Sequence, residues 1–314
     1  MDIKKILKIV LPLTFGAFLV WYSLADISLK TLGTYFKEAN YGYIILGLFF
    51  GILSHLSRAY RWKFMLEPLG FKPKFTNSIL AVLTGYLVNL AIPRAGEISR
   101  ATVMTNYENI PFEKAFGTIV AERIADLIMM LSIAAITLFV QFNFIYELLT
   151  KNLNPIKISI GLAVLSVGFY IFTAVVKKAT SGFLLKIKTF VAGLIEGVTS
   201  IFKMKNKWAF IFHTLFIWAM YVAMFWATIP AIEGLDVPFG GILIGFIAGG
   251  FSIAATNGGI GLYPIAVASA LALFDIPAET ATAFGWIMWT AQTAMVIVFG
   301  GLAFLLLPIY NKNT

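Results

Sequence analysis

Long apolar runs without a polar face constrain the fold of this chain more than any other feature of its sequence. The stretches from Ile119 to Phe142 and from Ile156 to Val176 are apolar on nearly every side of a helix. A helix in a water-soluble protein keeps one polar face, whereas a helix in lipid does not. Of the 314 residues, 60% are apolar and 12% are charged, with the charges clustered between the runs. This pattern predicts an all-α, polytopic membrane protein.

About eight hydrophobic segments are candidates for membrane helices. In chain order they are Ile6 to Ala25, Tyr41 to Leu56, Ser78 to Ile92, Ala115 to Val140, Ile156 to Val176, Trp208 to Ile229, Phe239 to Phe274 and Ala281 to Leu307. The first resembles a signal peptide, but its length favours an uncleaved helix. Between Lys177 and Lys207, apolar and charged residues alternate as in an amphipathic surface helix. No long polar stretch separates the segments, so residues 1–314 are predicted to form a single transmembrane domain.

The distribution of Lys and Arg predicts which loops face the cytoplasm. Positive residues concentrate before the first segment, from Arg58 to Lys74, from Lys177 to Lys207 and at Lys312. The positive-inside rule places these regions, and both termini, in the cytoplasm. The loops that it places outside are Asp26 to Asn40, Gln141 to Lys157, Glu233 to Val237 and Asp275 to Thr280.

Two apolar stretches must then enter and leave the membrane on the same side. The stretch from Thr76 to Pro111 begins and ends inside, and Phe239 to Phe274 begins and ends outside. Each is predicted to be a re-entrant hairpin or a pair of short helices, and each carries Gly and Pro residues suited to a bend. The halves, about 1–140 and 150–314, then form an inverted repeat, which is typical of transporters with a site near mid-membrane. Alternatively, the Gly and Pro residues only kink ordinary spans.

The densest charged feature begins at the first bend and continues into the next apolar segment. Its residues are Arg94, Glu97, Arg100, Glu122, Arg123 and Asp126. Charge at membrane depth costs at least about 2.5 kcal/mol per residue, so these side chains are expected to pair. In one interpretation the network holds Arg94 or Arg100 ready for a phosphate, because a guanidinium offers a planar fork of donors to a phosphodiester. Glu97 or Asp126 could instead carry a coupling proton. In the other, the network only ties the hairpin to the next helix.

The second bend is rich in glycine and contains Asn257, Gly258, Gly259 and Gly261. Its backbone N–H groups, with the start of the following helix, form a candidate anion-binding site. Close helix packing through small residues is the alternative. The run lacks the lysine of a P-loop and the GxGxxG spacing, which argues against nucleotide binding.

The composition excludes several kinds of chemistry. The chain has no cysteine, and its only histidines are His55, expected at the membrane interface, and His213, expected to bond a neighbouring helix. This set cannot supply a zinc or di-iron centre or a convincing Ser/His/Asp triad, so we expect no cofactor and no enzyme activity. The net charge of +9 comes from lysine runs beside apolar segments. An anionic membrane surface is therefore a better partner than nucleic acid.

The motifs resemble those of a known family. The run from Asn89 to Arg100, the Glu122-Arg123 pair with Asp126, and Gly258-Gly259-Ile-Gly261 look like the lysylphosphatidylglycerol synthase transmembrane-region family, which comprises flippase-like bacterial membrane proteins. The resemblance covers nearly the whole chain and implies a multi-pass protein of the bacterial inner membrane. The aminoacyltransferase domain of the synthase is not expected, because the chain ends soon after Leu307. Pro264 stands where many members carry an acidic residue.

These features together predict a protein that binds or translocates a lipid with an anionic head group, such as aminoacylated or unmodified phosphatidylglycerol. Arg94 and Arg100 would contact the head group, the other charged residues would position them, and Asn257 to Gly261 would form the opposite wall. The alternatives are a polyprenyl-phosphate translocase, a membrane-embedded transferase with Glu97 or Asp126 as base, and a scaffold in envelope biosynthesis. A second copy of the chain or an envelope-biosynthesis enzyme is a candidate partner.

Overall fold

A computed structural model describes residues 14, 16–25, 27–152, 155–185, 187–189, 192 and 204–312. All regular secondary structure in these ranges is helical, which confirms the prediction of an all-α fold. The chain divides into two compact units. The first unit consists of Met1–Glu122 and Trp208–Thr314, and the second unit consists of Arg123–Lys207.

Most helices follow the apolar segments, and two further helices lie in stretches that were predicted to be loops, Asp26 to Asn40 and Gln141 to Lys157. Residues 16–23 are helical, and the later helices are α1 (Leu29–Glu38), α2 (Tyr41–Leu66), α3 (Phe75–Ala91), α4 (Ala95–Glu108), α5 (Phe112–Val140), α6 (Phe142–Asn152), α7 (Pro155–Lys178), α8 (Lys207–Thr228), α9 (Phe239–Ala255), α10 (Leu262–Ala272) and α11 (Ala278–Tyr310). Short 3-10 turns extend α2 at Glu67–Leu69 and α8 at Ile229–Ala231. Residues 186, 190, 191 and 193–203 of the amphipathic helix predicted between Lys177 and Lys207 lie outside the described residues, as does the start of the first segment.

Four helices in the described part of the chain, α2, α5, α8 and α11, are long and apolar enough to cross a membrane. Helix α7 adds a further apolar helix of 24 residues. Many large apolar side chains of α11 are exposed, including Phe304 and Leu305. An exposed apolar surface of this kind suits lipid rather than water. The chain is therefore a multi-pass membrane protein.

Both broken apolar stretches are pairs of short helices, as predicted. Helices α3 and α4 form the first hairpin, and α9 and α10 form the second hairpin. Helix α3 has 17 residues, α4 has 14, α9 has 17 and α10 has 11. At 1.5 Å per residue, even the longest is about 25 Å, which is shorter than the roughly 30 Å hydrocarbon layer.

Tight glycine contacts hold the first hairpin together. Gly85 of α3 faces Gly96 of α4 so closely that a Cβ on Gly96 would collide with the carbonyl oxygen of Gly85 and with Asn89. The Asn89 side chain also accepts a 2.7 Å hydrogen bond from the Gly96 N–H, and so caps the start of α4. Small residues thus bring the two backbones together and leave α4 firmly placed against α3.

Helix α2 is much longer than predicted. Helix α2 does not end at Leu56 but continues to Leu66, so Arg58 and Arg61 lie on the helix and not in a cytoplasmic loop. Both arginines are buried, at 2% and 0% exposure. The charge count treats every arginine as solvated, whereas these two are paired inside the protein; the cytoplasmic side that it gives this region stays a prediction.

Candidate functional site

Three arginines of the first unit converge on one buried carboxylate. Glu122 of α5 is fully buried. Arg58 Nη1 lies 2.8 Å from Glu122 Oε1, and Arg61 Nη2 lies 3.8 Å from the same oxygen. Arg100 of α4 spans the carboxylate, with Nη1 3.0 Å from Oε1 and Nη2 3.1 Å from Oε2. We name these four residues the arginine cluster.

Aromatic rings and a hydroxyl orient the guanidinium groups. The Cζ atom of Arg100 lies 4.4 Å from the ring centroid of Trp62, and that of Arg61 lies 5.2 Å from the ring centroid of Phe210. Arg61 Nη1 also donates a 2.9 Å hydrogen bond to Thr214 Oγ1. Cation–π contacts gain strength when water is excluded, so these rings support buried positive charge. The cluster is thus a set of guanidinium donors, two of which are held by additional contacts besides Glu122.

The arginine cluster carries more positive than negative charge. Its three arginines and one glutamate leave an excess of two positive charges. In the second unit, Arg123 Nη1 lies 3.5 Å from Asp126 Oδ2, one turn further along α5. That pair is neutral, so counting it leaves the excess unchanged. Buried charge of one sign favours an anionic ligand.

The structure separates Arg94 from this cluster. Arg94 lies in the turn of the first hairpin with a left-handed backbone (φ 63°), and it is exposed. Glu97, in the first turn of α4, accepts a 3.3 Å hydrogen bond from Asn89 Nδ2. Of the two arginines predicted to meet the carboxylates of α5, Arg100 does so. The roles predicted for Arg94 and Glu97 at a head group stay predictions.

The turns of the two hairpins meet. Asn257 Nδ2 donates a 2.7 Å hydrogen bond to the carbonyl of Leu90, at the end of α3. The carbonyl of Gly258 accepts a 2.8 Å bond from Trp289 Nε1 of α11. Gly258, Gly259 and Gly261 all have positive φ, a conformation that glycine adopts without strain. The glycine run therefore shapes a tight turn that packs against its neighbours. Its contact with a ligand stays a prediction.

The arginines of α2, rather than the histidines, are where the prediction from the sequence was incomplete. His55, expected at the membrane interface, is buried with its ring 4.4 Å from that of Tyr86. His213 behaves as expected, because its Nδ1 lies 2.8 Å from Ser57 Oγ of α2. Arg58 and Arg61 were not predicted as site residues. Their three-residue spacing, which continues the helical face of His55, is the signal that identifies them.

Comparisons with known proteins give a family and two relatives. The sequence model of the family described as "Lysylphosphatidylglycerol synthase TM region" matches residues 9–301. The UPF0104 membrane protein MJ1595 of Methanocaldococcus jannaschii is 31% identical over 147 residues, which cover 45% of this chain and 44% of the relative. The UPF0104 membrane protein PH1989 of Pyrococcus horikoshii is 26% identical over 164 residues, covering 51% and 46%. The chain thus spans less than half the length of these relatives. No solved structure matches it.

Proposed function

Because this chain belongs to the lysylphosphatidylglycerol synthase TM region family, we propose that it binds a membrane lipid through an anionic head group and moves that lipid between leaflets. The observation that supports this proposal is the arginine cluster. A phosphodiester presents two oxygens to a guanidinium fork in the same way as the Glu122 carboxylate does. A phospholipid such as phosphatidylglycerol is the proposed substrate class.

Binding would proceed by sharing the guanidinium groups between two anions. Glu122 keeps the three arginines in place when no lipid is present, because guanidinium groups left without a counter-charge in the interior would be strongly destabilising. An arriving phosphate would take over some of their N–H donors, each charge-assisted hydrogen bond contributing roughly 1.5–3 kcal/mol. The excess of positive charge would make the exchange favourable without displacing Glu122.

The two hairpins would supply the path of the head group. Arg94, exposed in the turn of the first hairpin, would be an early contact for a phosphate, and the turn from Asn257 to Gly261 would form the facing wall. The pair Arg123 and Asp126 would follow along α5. In this proposal the protein lies in the cytoplasmic membrane with both termini inside, and the halves at about 1–140 and 150–314 work as an inverted repeat.

Leaflet exchange in liposomes tests the proposed function. Proteoliposomes carrying fluorescent phosphatidylglycerol, a polyprenyl phosphate or phosphatidylcholine are compared for the fraction of probe that an impermeant quencher reaches. The protein is expected to exchange an anionic lipid and not phosphatidylcholine. Arg100→Gln and Arg58→Gln are expected to lower that exchange at least tenfold, because each removes a guanidinium from the cluster.

Lys63→Gln is the matched control. It removes a cation from α2, the helix of Arg58, but the Lys63 side chain is 45% exposed and pairs with Glu67. This variant should exchange lipid at the wild-type rate. Absence of exchange of both anionic lipids by correctly folded protein would refute translocation. Exchange of phosphatidylcholine at the same rate as the anionic lipids would refute selection by the arginines. The exchange rates of phosphatidylglycerol and of the polyprenyl phosphate distinguish a phospholipid substrate from a polyprenyl carrier.

A further inference from the structure

A groove of about 400 Å³ lies in the first unit between the first hairpin and α11. Its floor is formed by Thr84 of α3, Val103 of α4 and Leu307 of α11, which are 3%, 7% and 7% exposed. Its rim on α11 is formed by Phe304 and Leu305, at 57% and 63% exposure. The groove is thus closed below by packed side chains and open along its rim.

The two walls of the groove differ in chemistry. The wall on α11 is apolar, whereas α4 contributes three residues with hydroxyl groups, Ser99, Thr102 and Tyr107, to a lining that is mostly apolar. A ligand that fits both walls has an apolar chain on one side and oxygen atoms on the other. This is the chemistry of a lipid near its ester groups.

Two residues of the groove, Thr84 and Pro308, depart from regular hydrogen bonding. Thr84 Oγ1 is buried and has no hydrogen-bond partner among the described residues. A buried hydroxyl without a partner costs about 1–3 kcal/mol. On the opposite wall, Pro308 has no N–H to offer the carbonyl of Phe304, four residues earlier in α11. The Thr84 hydroxyl is itself covered, so the polar contacts of a ligand in the groove would come from the wall on α4.

The groove and the arginine cluster are connected through the same two helices, α3 and α4. The stem of Arg100 crosses Gly85, the neighbour of Thr84, so closely that a Cβ on Gly85 would lie 2.7 Å from Arg100 Cγ. Arg100 therefore points its guanidinium to Glu122 while the adjacent Ser99 lines the groove. We propose that the groove seats the ester region and one acyl chain of the phospholipid whose head group binds the arginine cluster. The head-group part of this inference rests on the proposed function.

The size of the groove favours a lipid chain over a partner helix. An α-helix about 10 Å across fills roughly 420 Å³ for each turn of 5.4 Å, so the groove holds about one turn. One turn is too short to anchor a helix of another chain. The groove opens beside exposed apolar side chains of a helix long enough to span the membrane, where bilayer lipid is the surrounding solvent.

Photolabelling of the full chain in liposomes tests this site. The vesicles contain phosphatidylglycerol with a diazirine in the acyl chain close to the ester, and the adducts are mapped by mass spectrometry after irradiation. We expect adducts concentrated around Val103, Phe304 and Leu305. Labelling by a phosphatidylcholine with the same diazirine should be at least threefold weaker, and Arg100→Gln should remove this difference.

A rim variant and a control on the same surface sharpen the test. Thr102→Trp obstructs the groove from an exposed position and should lower the groove adducts at least threefold. Leu302→Trp adds the same ring to α11 at a 52% exposed site away from the groove lining and should leave them unchanged. Adducts in wild-type protein as dense at Ile297 and Leu302 as in the groove would show bulk lipid contact only and would overturn the inference. Cross-linking of a second copy through the groove would overturn it too.

The photolabelling result is independent of the exchange assay. Groove adducts in a protein that exchanges no lipid would support the acyl-chain site and refute translocation alone. Exchange of phosphatidylglycerol without groove adducts would refute the acyl-chain site and leave the proposed function standing. Equal labelling by phosphatidylglycerol and phosphatidylcholine would overturn the link between the groove and the arginine cluster.

Discussion

At Glu122, one carboxylate holds three guanidinium groups in a part of the protein that water does not reach. Arg58 and Arg100 bond it at 2.8–3.1 Å, and all of these side chains are at most 3% exposed. Removal of one partner from a buried ion pair typically costs 3–5 kcal/mol, because a charge is left without compensation. The carboxylate is thus expected to matter for stability as well as for any lipid that binds.

Replacement of Glu122 by Gln keeps the size of the side chain and removes its charge. We expect Glu122→Gln to destabilise the protein by about 3–5 kcal/mol, seen as a lower unfolding temperature in detergent by tryptophan fluorescence. Glu113→Gln makes the same change at an exposed position of the same helix and should unfold at the wild-type temperature. Equal stability of wild type and Glu122→Gln would mean that the three arginines do not depend on this carboxylate.

At the scale of helices, the first hairpin depends on the contact between Gly85 and Gly96. The bend was predicted from Pro93 and Gly96 together with the charge count, and the structure has the turn at residues 92–94. The glycine contact across the hairpin was not predicted, because a sequence shows which residues are small but not which of them face each other. Arg100, which bonds Glu122, lies on this closely packed α4, and its stem crosses Gly85.

A methyl group at Gly96 should separate the two helices of the hairpin. We expect Gly96→Ala to destabilise the protein by about 1–3 kcal/mol, because the added Cβ meets the Gly85 carbonyl and Asn89, neither of which can move away easily. Gly117→Ala is the comparison, since a Cβ there has no neighbour within 4 Å and alanine favours the helix. Unfolding temperatures in detergent distinguish the two. A Gly96→Ala protein as stable as Gly117→Ala would show that the hairpin tolerates wider packing.

At the scale of the whole molecule, the predicted inverted repeat depends on which side of the membrane each loop faces. The match to the family confirms the resemblance seen in the motifs of the sequence. The helix pairs in the structure agree with two re-entrant stretches, and the sidedness of the loops stays a prediction from the positive charges. The sidedness of the loops decides whether the chain, after α3 and α4, returns to the side of the membrane from which it started.

The absence of cysteine makes the sidedness measurable, because any introduced thiol is the only one in the chain. We expect Lys72→Cys and Glu113→Cys, on either side of the first hairpin, to react with an impermeant maleimide only after cells are permeabilised. Glu233→Cys should react in intact cells. All three positions are exposed. Reaction of Glu113→Cys, but not of Lys72→Cys, in intact cells would show that the stretch crosses the membrane and would contradict the inverted repeat.

Local chemistry was enough to predict the helices, their apolar character, the two bends and the pairing of Arg100 with a carboxylate of α5. Hydropathy, proline and glycine act over a few residues, and a charge within an apolar run must find a partner nearby. The tertiary structure alone decided that Arg58 joins Glu122 across 64 residues of sequence, that Arg94 stays outside the cluster, and that a groove forms beside α11. These features depend on how separate helices pack, and such packing leaves no regular period in the sequence.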